Sequence, residues 1–216
     1  MATDPTGLRA RKKAKTRLAI AEIATRLFIE RGFDQVTVAE VAAAAEVSLA
    51  TIFNYFETKE DLFFDREADV IAAMSRIVTE RRPGEAIVPA FHRAFRDAID
   101  TALPGLIERG VARFAATIEA SPALRARAGL GLEKAELQIA AAIAADLHAR
   151  PDDVTPRVVA AVVVGLERVL LGVLRTHLRR GSSAAVTRRA LRRDCDRAFA
   201  IVDTGITAYG ERPGAA

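Results

Sequence analysis

Between Ser48 and Lys59 the chain sets out hydrogen-bonding side chains at short intervals: Ser48, Thr51, Asn54, Tyr55 and Lys59. Hydroxyls, a phenol and an ammonium donate readily to phosphate oxygens, and a carboxamide matches the edge of a base. The chemistry on offer is recognition. The sequence holds no nucleophile elbow, P-loop or dinucleotide fingerprint that would point to bond making. Glu133 and Glu136 stand three apart on a helical stretch, a spacing common on solvated faces.

Such groups work only if a helix presents them together. At 100° per residue, Ile52 and Phe56 share one side, while Ala50, Thr51 and Asn54 share the other, with Phe53 and Tyr55 on the flanks. The outward face is small and polar, which suits a helix entering a major groove. Rings are concentrated in the same stretch, at Phe53, Tyr55, Phe56, Phe63 and Phe64. Those at 56, 63 and 64 are expected to pack neighbouring helices into a small core, because a short domain needs large side chains to bury area.

Apolar periodicity and caps predict helices over about 12–31, 38–45, 48–55, 59–81, 86–103, 105–120, 123–149, 157–180 and 184–209. Thr37 and Glu40 form a capping box, Ser48 and Thr58 are N-caps, and Gly32 sits where a C′ glycine belongs. Arg82-Pro83-Gly84, Pro104-Gly105, Ser121-Pro122 and Gly181-Ser182-Ser183 read as breaks. No stretch alternates long enough to predict a strand. The fold class is all-α, with about nine helices.

Net charge is only +4, but Arg9, Arg11, Lys12, Lys13, Lys15 and Arg17 make an acid-free basic block. Arg11, Lys12, Lys13 and Lys15 read as an N-terminal arm that follows a phosphate backbone or enters a minor groove. A cation at Lys59, on the first turn of a helix, opposes the macrodipole by ~0.3–1 kcal/mol, and a phosphate there would reverse that cost. One cysteine excludes an intrachain disulfide and fits a cytoplasmic home. His92, His148 and His177 are scattered, so no metal or cofactor is expected. No apolar run is long enough to span a bilayer.

Residues 16–63 closely resemble the DNA-binding domain of TetR-family (tetracycline-repressor-like) transcriptional regulators. The matching features are Ile20, Ala24, Leu27-Phe28, Gly32-Phe33, Thr37-Val38, Val41-Ala42, Ala45, Val47-Ser48, Thr51-Ile52-Phe53, Tyr55-Phe56, Thr58-Lys59-Glu60 and Leu62. The resemblance implies a three-helix helix-turn-helix domain whose third helix reads DNA, with phosphate contacts from Thr37, Thr51, Tyr55 and Lys59. It also implies a helical C-terminal domain that binds a small molecule and dimerises through its last two helices. Two positions depart from the pattern. Glu46 stands where the family usually has Gly, a cost of ~1–2 kcal/mol if the residue is left-handed. Phe53 replaces a usual Tyr and is expected to pack.

The expected organisation is a flexible basic arm over 1–15, a helix-turn-helix domain over 16–62, an effector-binding and dimerisation domain over 63–210, and a frayed tail over 211–216. The helix from 59 links the two domains. The DNA-facing candidates are Thr37, Ser48, Leu49, Ala50, Thr51, Asn54, Tyr55 and Lys59. His92, Phe95, Phe114 and Thr117 are the candidate lining of a pocket for a small, mostly apolar effector. Ala161, Gly165 and Gly172, with Leu191, Ala198, Val202 and Gly205, are the candidate homodimer face, since small residues let helices approach. A two-fold dimer sets its reading helices about 34–36 Å apart, or a multiple of that, on a palindromic operator. The expected function is a repressor released by its effector. The alternative is a helical ligand carrier or small enzyme that has lost DNA binding, with Glu46 and Phe53 as its support.

Overall fold

Pro5 opens a helix that runs without interruption to Arg31 in the computed structural model, which describes residues 5–205, with side chains from residue 11. All regular structure among the described residues is helical. α1 is Pro5–Arg31, α2 Val38–Ala44, α3 Leu49–Phe53, α4 Lys59–Phe63, α5 Glu67–Thr79, α6 Ile87–Glu108, α7 Val111–Ala120, α8 Pro122–Asp146, α9 Thr155–Arg179 and α10 Ala184–Thr204. A single 3-10 turn, Phe33–Gln35, follows α1.

Three differences from the sequence expectation have local causes. The basic arm is helical from Pro5 onward, because Ala, Arg and Lys favour helix and Pro fits a first turn. The arm's residues 1–4, the tail at 211–216 and the last turn expected to 209 lie outside the described residues. The helix expected over 59–81 is two helices. Phe64 leaves helical geometry (φ −98°, ψ 31°), and its ring meets Phe63 edge-on at 5.5 Å and Phe114 at 6.4 Å. Pro104, expected as a break, lies inside α6. A helix-interior Pro costs ~3 kcal/mol or more, and here Ile99 and Leu103 of the same helix are buried in the core. The break comes instead at Gly110, whose φ of 86° ends the helix.

The chain divides into two packing units. The first takes residues up to 70 together with 113–131; the second takes 71–112 and 132 onward. The first is centred on rings and small residues: Ile20, Ala24 and Phe28 of α1, Val41 of α2, Ile52 of α3, Leu62 and Phe63 of α4, and Leu124 of α8. Phe63 stacks on Phe114 at 4.3 Å, and Phe28 packs on Phe33 at 4.8 Å. The second unit buries Phe91 of α6, Val163 and Leu170 of α9, and Leu191, Cys195 and Phe199 of α10. Packing therefore assigns the α7–α8 corner to the first unit, unlike a single cut after residue 62.

Candidate nucleic-acid interface

α2 and α3 are too short to persist alone, so their ends are heavily capped. The Thr37 hydroxyl accepts from the Glu40 N–H at 3.2 Å, and Glu40 accepts from the Thr37 N–H at 2.7 Å. Arg31 donates to the same carboxylate at 2.6 Å. These bonds hold the Glu40 carboxyl down to about 2, with the Thr37 backbone N–H first among the causes. α2 ends in a Schellman arrangement: the Val47 N–H donates to Ala42 O at 3.0 Å and the Glu46 N–H to Ala43 O at 3.1 Å. That motif needs a left-handed residue at position 46, and Glu46 adopts φ 55° there.

α3 follows at once. The Ser48 hydroxyl accepts from the Thr51 N–H at 3.0 Å and shares a hydrogen bond with the Thr51 hydroxyl at 2.8 Å. Ile52 and Phe56 are buried and anchor the helix from below. Thr37, Ser48, Leu49, Ala50 and Asn54 are exposed, while Thr51 and Tyr55 are half-buried. Most of the DNA-facing candidates of this segment are thus open to solvent. Asn54 is the C-cap of α3, which ends at Phe53, two residues earlier than expected. Phe53 corrects the expectation that it packs. It is 53% exposed, because α3 turns its outer flank away from the core that Ile52 and Phe56 fill.

Lys59 is placed differently from a free phosphate ligand. Its ammonium donates to Phe33 O at 2.6 Å and lies 4.2 Å from the centre of the Phe33 ring. Burial lowers its pKa, opposed by Asp34, Glu60 and Glu40. An ammonium carries three N–H donors, so the Phe33 bond does not exhaust it. Arg11, Lys12, Lys13 and Lys15 are exposed on the opening turns of α1.

Arg17 was grouped by sequence with that basic block, yet it does a different job. It donates to the Tyr55 carbonyl, pairs with Asp65 at 2.6 Å and lies 4.4 Å from the centre of the Phe56 ring. It fastens α1 to the end of α3. The signal was present: Arg17 stands three and seven residues before Ile20 and Ala24, on the face those residues bury.

The sequence profile of bacterial regulatory proteins of the tetR family matches residues 20–65, and that of the MftR C-terminal domain matches residues 81–198. Over 172 residues the chain is 31% identical to the HTH-type transcriptional regulator TcmR of Streptomyces glaucescens, a match covering 76% of this chain and 75% of TcmR. The chain belongs to the TetR family. It is a DNA-binding transcriptional regulator and not an enzyme. A shorter match, 36% identical over 76 residues, joins it to the HTH-type transcriptional regulator LuxR of Vibrio harveyi, covering 32% of this chain and 37% of LuxR. Among solved structures, native NalD of Pseudomonas aeruginosa, the secondary repressor of the MexAB-OprM multidrug efflux pump, superposes with a TM-score of 0.56 at 20% identity, over 86% of this chain and 97% of NalD. That likeness speaks for the fold.

In this TetR-family chain the four pocket candidates separate. His92 and Phe95 belong to the second unit, where His92 pairs with Asp196 at 2.8 Å and stacks on Phe199 at 4.7 Å. Phe114 and Thr117 belong to the first unit. Phe114 is committed to Phe63, and Thr117 lines an open cleft of about 680 Å³ between the end of α1 and α7. Helical periodicity could not reveal that α7 packs with the N-terminal helices.

The dimer candidates also split. Ala161 is exposed, Gly165 and Gly172 are half-buried, and a Cβ added at either glycine meets nothing. Leu191, by contrast, is 3% exposed, and Ala198 and Val202 pack on the same internal core. Leu191 is thus core rather than interface, while Ala198 and Val202 are half-buried against the same core. Gly205 is exposed just past the end of α10. Cys195 is fully buried, and burial pushes its thiol up to about 11, far from a reactive thiolate. Among the described residues no helix is long and apolar enough to cross a membrane, and no three His, Cys, Asp or Glu cluster as metal ligands.

One further residue of the first unit escaped the sequence. Arg127 of α8 donates to Glu67 at 2.7 and 2.9 Å and to Asp61 at 3.0 Å. Burial raises the Asp61 carboxyl, but hydrogen bonds from Thr58 and Arg127 outweigh it and hold it below its ordinary value. Arg127 thereby ties α8 to α4 and to the start of α5. Nothing in local spacing announces a pairing across sixty residues.

Proposed function

We propose that the chain is a homodimeric repressor that binds a palindromic operator through α3 and leaves it when a small, mostly apolar effector occupies the second unit. The observation that carries this reading is the exposed Ser48–Asn54 surface, held on a capped helix by buried Ile52 and Phe56. Asn54 is the base reader, and Leu49 and Ala50 allow close approach to thymine methyls and base edges. Thr37, Ser48, Thr51, Tyr55 and the remaining donors of Lys59 contact phosphates. Arg11, Lys12, Lys13 and Lys15 extend that contact along the backbone. The dimer face is the outer side of α9, where Val158 and Val169 are exposed beside Ala161, Gly165 and Gly172. Repression is the sign we assign, since a dimer seated on an operator blocks transcription by occupancy and needs no second protein surface.

Footprinting on the DNA that flanks the chain's own gene, titrated with salt, tests the reading. A protected palindrome is the expected result. Asn54→Ala should change sequence preference by ~1–3 kcal/mol at one base pair of each half-site, and an unchanged preference removes Asn54 as a reader. Light scattering at micromolar concentration should report a dimer. The second reading, a ligand carrier without DNA binding, draws on Glu46 in a strained turn and Lys59 bonded internally. Weak binding erased by salt, with no selected sequence genome-wide, would favour it.

A further inference from the structure

The open cleft of the first unit, about 680 Å³, has the size of a small-molecule site. One wall is the last turn of α1 with the 3-10 turn that follows it. The other is α7, whose lining residues Arg113, Ala116, Thr117, Ala120 and Ser121 recur at steps of three, one, three and one, the pattern of a single helix face. Ala116 and Ala120 are exposed, so the middle of that wall is small and apolar. Thr117 and Ser121 are buried and their hydroxyls are committed. Thr117 donates to Arg113 O at 2.9 Å, and Ser121 donates to the Asp34 carboxylate at 2.8 Å.

Charge is unevenly divided between the walls. Glu30 and Asp34 stand on the α1 side, where the negative end of the α1 dipole adds to them. The cations of that region are engaged elsewhere: Arg31 donates to Glu40 at 2.6 Å, and Lys59 donates to Phe33 O at 2.6 Å. Arg113 stands on the first turn of α7. Among the described residues no hydrogen bond or ion pair reaches the Glu30 carboxylate or the Arg113 guanidinium, and both side chains are exposed. They line one cleft without pairing across it. A lone anion that came to Arg113 would also meet two carboxylates. A lone cation would leave the guanidinium unanswered. A molecule with a cation at one end and a carboxylate at the other satisfies both walls, and a guanidinium can hold that carboxylate by two parallel hydrogen bonds.

We propose that this cleft binds a small dipolar molecule, with Glu30 and Asp34 holding its cationic end and Arg113 its carboxylate. The site is separate from the effector assigned above to the second unit and does not depend on it. Phe33 lines the same cleft and holds Lys59 on its carbonyl, so an occupant lies against the turn that leads to Thr37. The test is calorimetry on the full chain with three probes built on one benzene ring. Para-aminomethylbenzoate carries both charges, benzylamine only the cation and benzoate only the anion. The wild-type chain should bind the dipolar probe at least tenfold more tightly than either of the others. Glu30→Gln and Arg113→Gln should each lose at least fivefold in affinity for the dipolar probe, and Arg113→Gln should bind benzylamine no more weakly than wild type. Ala116→Phe, which fills the cleft, should abolish binding of the dipolar probe. All three variants should keep the wild-type Tm, since the three residues are exposed. No binding of the dipolar probe at millimolar concentration, equal binding of the three probes, an unchanged affinity in either charge variant, or undiminished binding in Ala116→Phe would each overturn the proposal. None of these outcomes bears on release of operator DNA by a ligand in the second unit.

Discussion

The two packing units solve opposite problems. The first is made of short helices, and its groups are tied down one by one: capping boxes at Thr37 and Thr58, Arg17 across to Tyr55 and Asp65, Lys59 to Phe33, and Arg127 to Asp61 and Glu67. A surface that must present several side chains in fixed register tolerates little play. The second unit is built of long helices with apolar inner faces, and its ion pairs, Arg81–Asp146, Arg93–Glu85 and Arg96–Asp196, are partly exposed beside a core of Phe91, Val163, Leu170 and Phe199. The contrast is one of means: short helices are held by caps and individual polar ties, long helices first by the apolar faces they bury.

The largest effect that sharpens this comparison comes from a pair of identical substitutions in the first unit. Phe28→Ala removes a fully buried ring and should cost ~3–5 kcal/mol in urea denaturation. Phe53→Ala removes an exposed one and should stay within ~0.5 kcal/mol while changing DNA affinity. A large stability loss at Phe53 would restore it to the core. Next comes Arg127→Met, which leaves Asp61 and Glu67 without their shared partner. The pairing is partly solvent-screened, so the expected loss is about 1–2 kcal/mol. No loss would mean that the fastening of α8 to α4 is ornamental, and the contrast between the units would weaken.

Glu46→Gly should raise stability by about 1 kcal/mol, because Gly accepts φ 55° without a Cβ clash. A fall in Tm would show that the Glu46 side chain makes up for its strained backbone. The smallest effect concerns Glu40. Its folded pKa of about 2 lies below the ordinary 4.5, so its contribution is fully present above pH 4.5 and is lost as pH falls towards 2. An acid denaturation curve of Glu40→Gln should differ from wild type above that window and converge with it at the acid end. A constant offset across the whole range would remove the linkage.

Most of the helix-turn-helix was readable in advance because its signals are local. Capping at Thr37, Ser48 and Thr58 needs only residues three apart, and the sidedness of Ile52 and Phe56 follows from helical period alone. The same locality explains the failures. Phe64 and Pro104 were judged by intrinsic preference, and packing overrode both. Leu191, Ala198 and Val202 share a stripe whose spacing could be read but whose direction could not, since helical spacing is the same whether the face meets its own chain or another. Phe114 and Thr117 were assigned to a pocket by their place in the chain, and contact moved them to the other unit.

The family, the all-helical class and the candidate reading helix were thus set by the order of residues, because caps, periods and turn glycines act over a few positions along the backbone. The partners of Arg17, Lys59 and Arg127 and the exposure of Phe53 came only from folding. Each depends on which distant side chain arrives alongside, and a charge in a chain carries no mark of the charge it will meet.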